Sequence, residues 1–250
     1  MSRTLIASLS LVALIGAAAP ARAEDPPVFD PKQVTAIEKV MRDYLMQHPE
    51  IIADAIEALR EKQLLELEAE AKKALETRKA DIFDDAATPV LGNPQGDVTI
   101  VEFFDYRCGY CKTVVDMLMD TVKADGKIRL IMKELPILGP ESVVGARAAL
   151  AARVQGKYAE MHRALMKIRG PFNPDAILKA ATEAGLDIEK MKKDMESADV
   201  AKQIERNVDL AQALNISGTP AFIVGDRMIP GAIDKGTMKT LIEQARKDKK

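Results

Sequence analysis

Residues 103–112 read Phe-Phe-Asp-Tyr-Arg-Cys-Gly-Tyr-Cys-Lys, and this stretch holds the only two cysteines of the 250-residue sequence, Cys108 and Cys111. An apolar run from Val98 to Phe104 leads into the pair and predicts a β-strand. Apolar residues at helical spacing follow, from Cys111 to Val122. The pattern therefore predicts a strand-to-helix turn with Cys108 at the N-terminus of the helix.

This position predicts an activated dithiol. Free N–H groups and the positive end of the helix dipole stabilise an anion, so we expect a lowered thiol pKa at Cys108. The side chain of Arg107 is expected to add positive charge nearby. Cys111 follows one helical turn later and should be more buried. We interpret Cys108 as the nucleophile and Cys111 as the resolving thiol, with Gly109 and Tyr110 between them in the active-site motif.

The cysteine pair has three other interpretations. A structural disulfide that closes so short a loop would remove little entropy from the unfolded chain, so it would stabilise the fold only weakly. A structural zinc site needs about four protein ligands, whereas the sequence offers no third cysteine and only His48 and His162, far away. A redox-active pair is therefore favoured, and it requires no cofactor. Because thiolates are soft ligands, Cys108 and Cys111 could also hold Cu(I).

Glu102 is the one charged residue of the predicted strand. Strand alternation places it on the same face as Ile100 and Phe104, six residues before Cys108. Burial on this face should raise the pKa of the carboxyl group. Such a group could exchange a proton with Cys111 during catalysis. The alternative is a carboxylate at the end of the strand, paired with a lysine.

The first 23 residues have the pattern of a secretory signal. Arg3 is followed by an apolar run from Leu5 to Ala19, and Ala21-Arg22-Ala23 fits a cleavage site. The run is short for a membrane span, so an uncleaved anchor is the less favoured interpretation. We expect cleavage after Ala23 and a mature protein in the oxidising periplasm. A net charge of −2, with no basic excess, argues against a nucleic-acid partner.

Residues 24–60 predict two short helices with narrow apolar stripes, and residues 61–82 predict a charged helical linker. Asp30-Pro31-Lys32-Gln33 is a typical helix start. Two such helices bury too little apolar surface to form a core of their own. We therefore expect them to associate with copies of themselves. The alternative is that they fold back on the catalytic domain of the same chain.

Residues 83–250 predict an α/β domain with a helical insertion at about 139–214. After the insertion, Thr219-Pro220 precedes an apolar run that predicts another strand. Pro220 could simply be the first residue of this strand, a position where proline is tolerated. The more specific prediction is a cis Thr219–Pro220 bond that faces the cysteines. Such a loop would present the backbone of Thr219 to an extended client peptide.

This order of elements resembles the thioredoxin fold. Val101-Glu102-Phe103-Phe104 is similar to the DsbA family, whose buried glutamate lies at the matching place. Pro136-Ile137-Leu138-Gly139, the stretch 105–111 and Gly218-Thr219-Pro220-Ala221-Phe222 are similar to the Com1-like branch of that family. The N-terminal helices resemble those of the suppressor of copper sensitivity protein C (ScsC) group, which includes trimeric disulfide isomerases.

The resemblance implies an exported, homotrimeric protein disulfide isomerase that uses Cys108 and Cys111. Its clients would be misfolded or misoxidised exported proteins, and its redox partner a membrane thiol reductase that keeps Cys108 reduced. The dipeptide Gly109-Tyr110 departs from many relatives, which have proline first. Two alternatives remain open: a monomeric DsbA-like dithiol oxidase, and a Cu(I)-binding protein of copper tolerance.

Overall fold

The computed structural model describes residues 29–248, so the expected signal segment 1–23 lies outside the described residues. The chain divides into two compact units, the first ending at Leu59 and the second beginning at Arg60. The helices of the described residues are α1 Pro31–Gln47, α2 Glu50–Thr77, α3 Lys79–Phe83, α4 Gly109–Asp125, α5 Pro140–Val154, α6 Tyr158–Lys167, α7 Pro174–Glu183, α8 Ile188–Met195, α9 Ala198–Ala213 and α10 Lys235–Asp248. The strands are β1 Val90–Gly92, β2 Val98–Phe104, β3 Ile128–Glu134, β4 Ala221–Val224 and β5 Arg227–Pro230.

The first unit contains α1 and the beginning of α2. Asp30 caps α1 through a reciprocal pair of bonds: its carboxylate accepts the N–H of Gln33, and the Gln33 side chain accepts the N–H of Asp30. No side chain of α1, all of whose residues the structure describes, is buried. The predicted apolar stripes are exposed except at Leu45, which is half-buried. The exposed members are Val34, Ile37, Met41, Tyr44, Ile52, Ile56 and Leu59.

The second unit is built on one five-stranded mixed sheet of order β1-β3-β2-β4-β5. The central strand β2 runs parallel to β3 and antiparallel to β4. The C-terminal ends of β2 and β3 therefore meet the N-terminal end of β4 at one edge of the sheet. We call this the active edge, because the segments that follow β2 and precede β4 carry the cysteines and Thr219-Pro220.

Both faces of the sheet are covered, as expected for a strand that is apolar on both sides. Ile100 and Phe104 of β2 face the larger apolar cluster, which contains the buried face of α4. Val101 and Phe103 face a second cluster formed with α3 and α9. The thioredoxin-like α/β fold expected from the sequence is confirmed, and the predicted helical insertion corresponds to α5 through α9.

The folded domain begins earlier than the sequence pattern predicts. The sequence predicts a charged helical linker over residues 61–82, outside the catalytic domain, but Ala71 is buried and Ile82 is fully buried. Ala74 and Leu75 also pack against the second cluster. In addition, the buried ammonium of Lys133 donates to the carbonyl of Asp81 at 2.8 Å. The alanine and leucine side chains in this charged stretch supply enough apolar surface to pack against the sheet.

Among residues 29–248, no helix is both long enough and apolar enough to cross a lipid bilayer.

Candidate active site

Cys108 is the N-cap residue of α4, as the sequence predicts. Its Sγ accepts the backbone N–H of Cys111 at 3.3 Å, and its own N–H donates to the carbonyl of Asp105 at 3.1 Å. Both cysteines are free thiols. Cys111 is fully buried and Cys108 nearly so, whereas Tyr110 between them is 71% exposed. Gly109 has open space where a Cβ would stand. A client would therefore reach the pair from the side of Gly109 and Tyr110.

The two thiols have opposite pKa shifts. The pKa of Cys108 is lowered to about 5 by a hydrogen bond from the Cys111 thiol, with further bonds from the Thr219 side chain and from backbone N–H groups, against the opposing effect of burial. The pKa of Cys111 is raised far above its usual range by the same bond to Cys108 and by burial. At neutral pH the pair therefore holds one thiolate, at Cys108, and one thiol, at Cys111.

Arg107 is not among the main causes of the lowered pKa of Cys108. Its guanidinium donates to the carbonyl of Leu138 at 2.5 Å and to the carboxylate of Glu141 at 2.9 Å. The ion pair with Glu141 connects this guanidinium to the start of α5. The low pKa of Cys108 arises first from the hydrogen bond with the Cys111 thiol, and then from Thr219 and from the backbone N–H groups at the helix N-terminus.

The first testable prediction concerns the acidity of Cys108. In the wild-type protein its thiolate should form with a pKa of about 5, measured as the rise of thiolate ultraviolet absorbance with pH. In Cys111→Ala the largest stabilising bond is lost, so the pKa should rise but stay below the free value of about 8.5, because the backbone donors remain. A pKa near the free value in both proteins would contradict this assignment.

Glu102 lies on β2, fully buried, and neither carboxyl oxygen has a hydrogen-bond partner among the described residues. The alternative of an ion pair with a lysine is therefore wrong. Burial, and then the charge of Cys108, raise the pKa of Glu102 to about 8. The charge of Glu102 in turn contributes to the raised pKa of Cys111. The structure thus places a predominantly neutral carboxyl group within the electrostatic reach of both thiols.

The loop before β4 lies directly against Cys108. The Thr219–Pro220 peptide bond is cis, and the Cys108 thiol donates to the carbonyl of Thr219 at 3.1 Å. Pro220 is buried, and Thr219 is partly exposed. When Cys108 is ionised, no proton remains for this bond. The Thr219 carbonyl then becomes available to accept an N–H from the backbone of a client.

Sequence reasoning missed a buried polar cluster beneath the active edge. The Tyr158 hydroxyl donates to the carboxylate of Glu134, and the Tyr106 hydroxyl lies 3.1 Å from Nδ1 of His162. Burial raises the pKa of Glu134 to about 7 and lowers that of His162 to about 3. The missed signal was Glu134 itself, a charged residue that ends an apolar strand in the way that Glu102 interrupts β2.

The described part of the chain contains no group of three or more histidine, cysteine or carboxylate side chains that could hold a metal ion. A metal at Cys108 and Cys111 would therefore have two sulfur ligands from this chain.

Comparisons with known proteins agree with this geometry. Residues 99–243 match the family described as DSBA-like thioredoxin domain, and residues 33–63 match the family described as copper resistance protein ScsC N-terminal domain. A thioredoxin-like oxidoreductase from Silicibacter pomeroyi DSS-3 is 46% identical, with a TM-score of 0.66, over 67% of this chain and 97% of its own. Proteus mirabilis ScsC in a transitional conformation is 27% identical, with a TM-score of 0.66, over 88% of this chain and 100% of its own.

Curated relatives include much longer proteins. The Na(+)/H(+) antiporter NhaA 1 of Salinispora arenicola is 30% identical over 62% of this chain, and the match spans 24% of the antiporter. This chain thus corresponds to about a quarter of the length of such relatives.

Proposed function

This chain belongs to the family of DSBA-like thioredoxin domains, which are thiol–disulfide oxidoreductases, and from this premise we propose that it works as an oligomeric protein disulfide isomerase. One observation carries the proposal. A cysteine pair with a single low-pKa thiol occurs in the same chain as an N-terminal helical unit whose apolar stripes are exposed. The first feature suits attack on disulfides, and the second suits self-association.

The exchange chemistry follows from the ionisation of the pair. The thiolate of Cys108 attacks one sulfur of a client disulfide, a mixed disulfide forms, and the second client sulfur leaves as a thiolate. That thiolate can attack another client disulfide, and the thiolate released in this step then attacks the mixed disulfide, which frees Cys108 with no net change in oxidation state. Alternatively, Cys111 loses its proton and attacks Cys108. The client is then released as a thiol, and two electrons pass from the pair to the client.

We assign Glu102 as the group that accepts the proton that Cys111 loses when it attacks Cys108. With its pKa near 8, the carboxyl group is partly ionised near neutral pH, so it can accept a proton and return it. Its burial excludes bulk water from competing for this role. The thiol of Cys111 would otherwise have to ionise in an apolar environment, which its raised pKa shows to be unfavourable.

Self-association would place several catalytic domains around one client, as isomerisation requires. Several catalytic domains on one N-terminal assembly raise the effective concentration of Cys108 thiolates around a bound client. The exposed stripes of α1 and α2 are the surface assigned to this contact, and the likeness to the ScsC group favours three copies. Their exposure within one chain supports the proposal, because apolar stripes need a partner surface.

The setting of this activity is an oxidising compartment outside the cytoplasm, proposed to be the periplasm. The signal-like residues 1–23 and the absence of any cysteine outside the pair support it. Clients would be misfolded or misoxidised exported proteins. An isomerase must be kept reduced, so the expected redox partner is a membrane thiol reductase.

The second testable prediction separates isomerase from oxidase. Deletion of residues 24–60 should give a folded monomer, because the sheet and both apolar clusters lie in the second unit. This monomer should lose activity toward a scrambled client while it keeps or gains simple dithiol oxidation. Mass in solution and recovery of client activity are the measurements.

Point variants serve as controls for the deletion. Ile37→Glu in the apolar stripe should also give a monomer without isomerase activity, whereas Lys39→Glu, on a side chain also exposed but outside the stripe, should leave the oligomer intact. A truncated monomer that unscrambles the client as well as the full chain would exclude the oligomer as the basis of isomerisation. A monomeric full-length protein would favour the DsbA-like oxidase.

Copper handling is the second candidate function. The matched N-terminal family is described as a copper resistance protein, and the two sulfurs of Cys108 and Cys111 suit a soft ion such as Cu(I). Cys108 is ready to bind as a thiolate, whereas Cys111 would have to release its proton on binding. The ion would lie where a client disulfide otherwise reacts, so copper binding and exchange should compete.

The third testable prediction is that the reduced protein binds Cu(I) and the oxidised protein does not. A competition titration against a chromophoric Cu(I) chelator measures the affinity, and the double variant Cys108→Ser, Cys111→Ser is the control. Full affinity in that variant, or none in the reduced wild type, would contradict binding at this pair.

A further inference from the structure

The large apolar side chains that remain exposed on the catalytic domain are few, and most of them lie at the active edge. Among residues 79–248 they are Tyr110, Ile137, Leu138 and Val154. Tyr110 follows Cys108 on the first turn of α4. Ile137, 43% exposed, and Leu138, 45% exposed, belong to the loop that leaves β3. An exposed apolar group beside a reactive site is typical of a binding surface.

This loop, residues 135–139, and the Thr219-Pro220 loop lie on opposite sides of the cysteines. The strand order places β3 on one side of β2 and β4 on the other. The parallel β2–β3 and antiparallel β2–β4 pairings bring the end of β3 and the start of β4 to the same edge as Cys108. A client segment that crosses this edge with its cysteine at Cys108 would thus meet Thr219 on one side and Leu138 on the other.

The backbone of Leu138 is tied to the active-site turn through both of its polar groups. Its N–H donates to Oδ2 of Asp105 at 3.0 Å, and its carbonyl accepts from Nη1 of Arg107 at 2.5 Å. Asp105 is buried, and its second oxygen accepts the N–H of Arg107 at 2.7 Å. Asp105 and Arg107, two residues of the turn before Cys108, therefore hold the loop that carries the apolar side chains.

Gly139 makes this close approach feasible. Its φ of +116° lies in a region that favours glycine, and a Cβ at this position would stand 2.8 Å from Nη1 of Arg107. The same guanidinium reaches Glu141 at the start of α5. The loop is thereby held at Leu138 and at the helix that follows, with the side chains of Ile137 and Leu138 left exposed.

We propose that Ile137 and Leu138 form a client-selecting surface for disulfides flanked by apolar residues, and that Asp105 and Arg107 are positioning residues that hold this surface beside Cys108. The inference rests on the proposed thiol–disulfide exchange and names its substrate class. The occupant is an extended client segment, because the surface is continuous with the reacting sulfur and lies across from the carbonyl of Thr219. An apolar side chain next to the client's cysteine would cover Leu138 while the sulfurs react.

The test uses the reduced full-length protein and three disulfides. Two are short cyclic peptides that differ only in whether leucine or serine flanks the cysteines, and the third is hydroxyethyl disulfide, which is too small to cover Leu138. In single-turnover reduction by the dithiol form, the second-order rate constant of the wild type for the leucine peptide should be about five- to tenfold above that for the serine peptide. Arg107→Gln should remove most of this preference, so that the ratio of the rate constants for the two peptides falls toward one.

Two further variants distinguish the role of the apolar side chain from the effect of removing a charge. Leu138→Ser removes the apolar side chain but neither backbone bond, so it should abolish the preference as well. Arg163→Gln, an exposed arginine on α6, is the charge-matched control and should behave as wild type.

Each contrary outcome overturns a different statement. Equal rates for both peptides with the wild type, or a preserved preference in Leu138→Ser, would refute the client-selecting surface. A raised Cys108 pKa together with slower reduction of hydroxyethyl disulfide in Arg107→Gln would show that Arg107 acts on the thiolate and not on the loop. If the wild type reduces none of the three disulfides, the proposed function itself fails.

Discussion

Replacement of Cys108 by serine should reduce thiol–disulfide exchange to the rate seen without protein, because a hydroxyl cannot form the mixed disulfide. Replacement of Cys111 by alanine should have a different result. Cys108 still attacks, but no resolving thiol remains in the chain, so only the client's own thiol can release the mixed disulfide, which should therefore accumulate. The adduct should be visible on a non-reducing gel and by its intact mass.

The double variant Cys108→Ser, Cys111→Ala is the control, and it should trap no client. This pair of results tests the assignment of roles, which rests on the thiolate at Cys108 and the buried, protonated thiol at Cys111. A Cys108→Ala variant that still traps clients through Cys111 would reverse the roles. A Cys111→Ala variant that turns over single-disulfide clients at the wild-type rate would exclude Cys111 as the resolving thiol.

Replacement of Glu102 by glutamine should stabilise the reduced protein. The carboxyl group is fully buried without a hydrogen-bond partner, and its pKa rises from 4.5 to about 8. Between these two values the folded protein binds more protons at this site than the unfolded chain, so stability falls as pH rises. Glutamine does not ionise, so the variant should not lose stability at this site as the pH rises. Its free energy of unfolding should therefore exceed that of the wild type by about 3 kcal/mol at pH ~7.

Denaturant unfolding under reducing conditions at several pH values measures this difference. It should vanish near pH ~4, where both states hold the proton, and grow until the pH passes the folded-state pKa. Glu189→Gln is the matched control, because Glu189 is exposed and its ion pair with Lys192 lies at the surface; it should change stability by less than about 0.5 kcal/mol. A pH-independent gain in Glu102→Gln would mean that this carboxyl group titrates normally.

The fold and the centre of the site could be predicted because their signals are local. The apolar run of β2, the helical spacing after Cys111 and the N-cap position of Cys108 all lie within about 25 consecutive residues. Alternation along β2 was sufficient to place Glu102 on the buried face that it shares with Phe104. The direction of both predicted pKa shifts, at Cys108 and Glu102, followed from these placements alone.

The sequence by itself thus determined the thioredoxin-like fold, the position of the dithiol at a helix N-terminus and the burial of its neighbouring carboxyl group. Only the tertiary structure decided what surrounds them. Thr219 reaches Cys108 across 111 residues of sequence, Arg107 turns to Leu138 and Glu141, and Ile82 joins the core. Each of these contacts depends on the order of the strands in the sheet and on which partner a long side chain reaches. The hydrophobic periodicity of the sequence predicts neither, because it indicates only which face of a helix or strand is buried.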